Sequence, residues 1–190
     1  AGSSSGFADA TGTSAKFKNP WGVAISGDGS FALVTDSNNH RIRKVVIATK
    51  AVTTLAGSSS GFADATGTSA KFKYPRGVAI SGDGSFALVA DYSNHKIRKV
   101  VIATKAVTTP AASSPGLADT TGTSANFKDP GCFANSGDGS SALVADYNNH
   151  KSRKVLIRTT ADTTTAPSTH KNTPALHRTT NPGTARTKPK

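Results

Sequence analysis

The chain repeats itself every 55 residues. The segment AGSSSGFADATGTSAKFK begins at Ala1 and begins again, unchanged, at Ala56, and a diverged copy, AASSPGLADTTGTSANFK, begins at Ala111. A period of this length marks an array of supersecondary units, each burying its faces against the next. It constrains the fold tightly and the function loosely. The units are residues 1–55, 56–110 and 111–165, followed by a tail at 166–190.

One unit reads as four short strands. Its first eighteen residues are rich in Gly, Ser, Ala and Thr and read as a long loop. NPWGVAIS follows, an apolar run that a proline starts in extended conformation. SGDGS is a turn, FALVTD a strand, DSNNH a second turn, RIRKVVIAT a β-branched strand, and AVTTLA a fourth strand. GVAI and VVI are apolar at successive residues, as in a sheet packed on both faces. Four antiparallel strands per unit make one blade of a β-propeller.

These motifs resemble the NHL-repeat family. The matching segments are Pro20 to Ala24, Leu33 to Asp36, Asn39 to Val45 and Val52 to Gly57. The second copy matches at Pro75, Asp91, Asn94, His95 and Val107, and the third at Pro130, Asp146, Asn149, His150 and Lys154. The resemblance covers residues 1–157 and implies β-propeller blades, commonly six to a ring. The fold expected is therefore all-β: a partial, open propeller of about three four-stranded antiparallel blades, the third degenerate. The chain begins inside a unit, so it reads as a stretch of something longer. Missing blades would come from the full-length chain or from self-association, because an open stack leaves strand edges unpaired.

The third copy has lost apolar side chains. Ile25 and Ile80 give way to Asn135, Phe31 and Phe86 to Ser141, and Ile42 and Ile97 to Ser152. If buried, each change forfeits roughly 1.5–3 kcal/mol of apolar burial, so this blade is expected to be weak or to act as a polar cap. Cys132, the single cysteine, replaces Gly22 and Gly77 and reads as a small filler.

The +12 formal charge divides unevenly: +3, +4 and zero in the three units and +5 in the tail. The tail is Thr/Pro-rich and basic, without a carboxylate, and reads as disordered. No apolar run reaches the roughly 18 residues of a membrane span.

Three recurring triplets, Asp36/Asn39/His40, Asp91/Asn94/His95 and Asp146/Asn149/His150, offer one histidine per blade and read as structural turns, not metal ligands. SGDG lacks the further carboxylates of a calcium loop. No catalytic constellation, cofactor motif or metal set stands out. Asp9 and Asp64 read as local backbone caps.

The first two copies differ at only seven positions: 19, 21, 35, 37, 38, 41 and 55. In a four-stranded blade these fall at one end, where strand one starts and strand two turns into strand three. The candidate binding rim is Trp21, Tyr74, Arg76, Tyr92 and Tyr147, on the side of the long loops and away from Asp28 and Asp83. Trp, Tyr and Arg dominate binding hot spots. A non-enzymatic scaffold for a protein partner is the expected role. The alternatives are single-stranded RNA bound by a basic and aromatic face, and a part of a six-bladed lyase or lactonase-like enzyme.

Overall fold

The computed structural model describes residues 1–111, 116, 125–136 and 140–156. Within them the apolar runs become strands and the Gly/Asp/Asn clusters become turns. Blade 1 holds β1 (Pro20–Ile25), β2 (Phe31–Asp36), β3 (Arg41–Val46) and β4 (Val52–Ala56) in the order β1-β2-β3-β4. Blade 2 repeats this with β5 (Pro75–Ile80), β6 (Phe86–Asp91), β7 (Lys96–Val101) and β8 (Val107–Ala111). Blade 3 shows β9 (Pro130–Asn135), β10 (Ser141–Asp146) and β11 (Lys151–Leu156), three strands among the described residues. Every neighbouring pair is antiparallel, and no described sheet closes on itself. The fold is all-β, a run of propeller blades. The tail lies outside the described residues.

The first strand of each blade lies against the first strand of the next, β1 against β5 and β5 against β9, as innermost strands do. Glycine makes this approach possible. A Cβ on Gly77 would stand 2.5 Å from the Gly131 carbonyl oxygen, and one on Gly22 would collide with the Arg76 carbonyl. Larger residues there would force the blades apart.

Two apolar layers hold the blades together. Phe31, Leu33 and Ile42 of blade 1 meet Val78, Ala87, Val89 and Val100 of blade 2. Phe86, Leu88 and Ile97 of blade 2 meet Ala142, Val144 and Val155 of blade 3. Phe72 and Phe127, from the long loops, are wedged into these layers and fully buried.

The long loop does more than connect. Besides closing on itself through the Ser5–Phe17 bridge, it runs along the blade's outer edge and pairs Thr11 with Ala51, at the end opposite the rim. Val52 N–H donates to Ala10 O at 2.9 Å, Gly12 N–H to Lys50 O at 3.0 Å, and Thr54 N–H to Asp9 Oδ2 at 3.0 Å. Thr66 and Ala106 repeat the pairing in blade 2. This corrects two expectations for blades 1 and 2: the loop is not confined to the rim, and it covers part of the outer strand edge.

The third-copy substitutions also need reinterpretation. Side chains alternate across a strand. Ala142 and Val144 face blade 2, so Ser141, Leu143 and Ala145 face away from it. Ser152, paired opposite Ala145, is exposed on that same outer face. Cys132 is exposed too, and is no filler. These positions replace the Phe, Ile and Gly with which blades 1 and 2 receive a following blade. Because Ser141 and Ser152 are not enclosed by described residues, they forfeit no burial there. Asn135 differs: its amide nitrogen and oxygen are both buried without a hydrogen-bond partner among the described residues.

Candidate binding rim

The rim starts from a register fault. β1 pairs Pro20 with Asp36 but Val23 with Val34, so one extra residue is accommodated at Trp21–Gly22. β5 carries the same bulge at Arg76–Gly77. A bulge twists its strand and re-aims the side chain on it. Here it turns Trp21 outward, 59% exposed, and sets Arg76 beside it.

Arg76 is held between two rings. Its guanidinium carbon lies 4.4 Å from the Trp21 ring centroid and 3.4 Å from that of Tyr92. Such contacts contribute roughly 0.5–1 kcal/mol each at exposed sites. Around them lies a cleft of about 190 Å³, lined by Asn19, Trp21, Ser37 and Asn38 of blade 1 and Tyr74, Arg76, Tyr92 and Ser93 of blade 2.

Two contacts fix the blades on either side of the cleft. Thr35 Oγ1 donates to Arg76 O at 2.5 Å and accepts from Gly22 N–H at 2.7 Å. Tyr74 N–H donates to His40 Nδ1 at 3.2 Å, and the two rings meet edge-on with centroids 4.7 Å apart. Tyr74 has φ 50°, in the left-handed region that disfavours a bulky side chain. Its pairing with His40 offsets that strain. Burial, with Arg41 and Lys18 adding, holds the His40 imidazole below its ordinary 6.5, in the neutral form that accepts this bond.

Thus Trp21, Tyr74, Arg76 and Tyr92 converge on one cleft, at the end opposite the Asp28 and Asp83 turns. Tyr147 is 62% exposed on blade 3 and does not line it. Of the seven variable positions, 19, 21, 37 and 38 supply the whole lining with their second-copy counterparts. Position 35 is the buried bridge to Arg76 O, position 41 flanks His40, and position 55 is buried Leu55 between the blades. The seven therefore mix rim with packing.

The recurring triplets are turns of unexpected reach. Residues 37–39 form a 3-10 turn that His40 ends at φ 56°. Asp36 Oδ1 accepts from Lys18 N–H at 2.7 Å, and its Oδ2 accepts from Asn39 at 2.9 Å and from Arg43 at 2.7 Å. Arg43 also bonds Asp9 Oδ1 at 2.6 Å, together with Lys16 O and Ala8 O. Asp9 and Asp64 are thus ion-pair partners of Arg43 and Arg98 rather than simple backbone caps. Asp91 with Arg98, and Asp146 with Arg153, repeat the inner pair. Sequence reasoning missed the arginine, although an Asp and an Arg seven residues apart recur in every copy. Among the described residues, no three His, Cys, Asp or Glu side chains come together.

Antiparallel blades with bulged inner strands, stacked through a shared aromatic wedge, define a propeller-type repeat protein. Residues 17–45 match the family model described as NHL repeat. The chain is 36% identical over 104 residues to NHL repeat-containing protein 2 of Bos taurus, a match covering 54% of this chain and 14% of that protein. It is 30% identical over 164 residues to the Homo sapiens protein of that name, covering 81% of this chain and 22% of the relative. The chain therefore spans about a fifth or less of the length of these two relatives. A crystal structure of an auxiliary nutrient binding protein from Bacteroides thetaiotaomicron shares the fold, with TM-score 0.62 at 21% identity over 70% of this chain and 36% of that one. These matches identify the chain as a stretch of NHL-type repeats.

Proposed function

We propose that this chain is a non-enzymatic binding scaffold whose rim cleft, between blades 1 and 2, takes a protein partner. One observation carries the reading. Two copies that are otherwise nearly identical differ at four positions whose side chains, from both blades, line a single cleft. Drift in tolerant loops predicts no such convergence. The residues gathered there, Trp21, Tyr74, Arg76 and Tyr92, are of the types that anchor interfaces. NHL repeats commonly mediate protein interactions.

The test is site-specific cross-linking. A photo-reactive amino acid replaces Asn38, and the full chain is irradiated in extract from its native cells. Discrete protein adducts are expected, and they should disappear when Trp21→Ala and Arg76→Ala are combined while the melting curve holds. Adducts to RNA alone, or adducts indifferent to that double change, would contradict the reading.

A further inference from the structure

Taking the rim cleft as the partner site, we propose that it selects a carboxylate, an acidic side chain of the partner protein that pairs with the Arg76 guanidinium. The neighbouring arginines show what is unusual about Arg76. Arg43, Arg98 and Arg153 each pair with an aspartate inside their blade. Arg41 donates to Asn39 O and lies over Phe7. Arg76 has no carboxylate within 4.0 Å among the described residues, and its N–H groups meet no acceptor there.

Its faces, by contrast, are engaged. Trp21 and Tyr92 cover the plane of the guanidinium, so its N–H edge is the part left to bind. A stacked guanidinium is oriented before a ligand arrives, and its fork matches the two oxygens of a carboxylate. The remaining cleft walls, Asn19, Ser37, Asn38 and Ser93, are neutral and can offer further donors. Asp36 and Asp91, which close β2 and β6 at the rim end, are fully buried on Arg43 and Arg98; Asp64 pairs with Arg98, and Asp83 is bonded to Ser81 and Ser85 in the opposite turn, so none of them cancels the charge.

A single-stranded nucleic acid fits less well. Bases bind by stacking on open aromatic faces along a groove. Here Arg76 already occupies one face of each ring, and the cavity is one cleft of about 190 Å³.

The experiment measures fluorescence anisotropy of three labelled probes on the full chain: an alternating Gly/Glu peptide, its Gly/Gln counterpart, and an oligouridine. The Gly/Glu peptide should bind and the Gly/Gln peptide should not. Arg76→Gln should weaken binding by about tenfold or more, the loss of one charge-assisted pair. Arg76→Lys should restore little of it, because an ammonium neither stacks nor forks. Equal binding by wild type and Arg76→Gln would place the peptide on the basic tail and overturn the proposal. Arg76-dependent preference for oligouridine, or no peptide binding at all, would overturn it too. If cross-links from position 38 persist while the Gly/Glu preference fails, only the carboxylate assignment falls. If those cross-links are absent, the partner site itself falls.

Discussion

Arg43 and Asp36 form an ion pair of 2.7 Å in which neither side chain is exposed. The pair sits where β2 leaves for its turn and β3 returns. Through Arg43 it also fastens the long loop, because Lys16 O, Ala8 O and Asp9 take the other guanidinium donors. All five N–H groups of Arg43 are thereby used, which is what makes a buried cation tolerable.

Removing the arginine would leave Asp36 charged and enclosed. Arg43→Leu is expected to lower unfolding free energy by about 3–5 kcal/mol, as when one partner of a buried pair is lost. Arg43→Lys should recover only a minor part, since an ammonium cannot reach acceptors on both sides. Urea denaturation reads the difference, and a loss under about 1 kcal/mol for Arg43→Leu would show that the network is dispensable.

Asn135 presents the opposite case. Its buried amide has no partner among the described residues, and the earlier copies carry isoleucine there. Asn135→Ile removes an unsatisfied group worth about 1–3 kcal/mol and adds apolar burial. The variant should therefore be more stable than wild type, with a raised denaturation midpoint. An unchanged or lowered midpoint would mean that the side chain finds partners in solution.

Much of this architecture was legible in the chain. The 55-residue period, the β-branched runs and the Gly/Asp turns located the strands of the first two blades, since local conformation dictates them, although the third strand ends at Val46, three residues before the end of RIRKVVIAT. What escaped was non-local. The Asp9–Arg43 pair joins residues 34 apart, and no local rule brings them together. The bulge at Trp21 depends on the register of β2, and the loop's course along β4 depends on which edge is free. The rim was partly legible because duplicated copies act as an internal comparison. The same comparison misled at position 55, where Leu55 is core.

Acid should loosen the junction between blades 1 and 2. His40 is held below 6.5 by burial and by Arg41 and Lys18, so the unfolded chain takes up its proton first. Where the unfolded state binds more protons, stability rises with pH. The contribution of His40 is therefore intact above 6.5 and is lost as pH falls below it, with the Tyr74 N–H bond released when Nδ1 is protonated. Stability measured at descending pH should decline from that point, and His40→Gln should flatten the decline. An NMR titration placing His40 at or above 6.5 would contradict the argument.

The outer face of blade 3 allows the sharpest structural test. Blade 2 receives its neighbour with Gly77, Phe86 and Ile97, and blade 3 has Cys132, Ser141 and Ser152 at those places. Blade 1, on its other side, leaves Val23 67% and Ile25 64% exposed, although their counterparts Val78 and Ile80 pack against the blade before them. The triple change Cys132→Gly, Ser141→Phe and Ser152→Ile would rebuild on blade 3 the face that fits Val23 and Ile25. Two complementary faces on one chain make a heterologous contact that propagates from copy to copy. The triple variant should accordingly show a mass that climbs with concentration in sedimentation equilibrium, well beyond any rise in wild type. Adding Val23→Lys should reverse the climb, because the ammonium would be buried unpaired in the new interface. Identical masses for wild type and the triple variant at every concentration would mean that these substitutions do not govern what the face accepts.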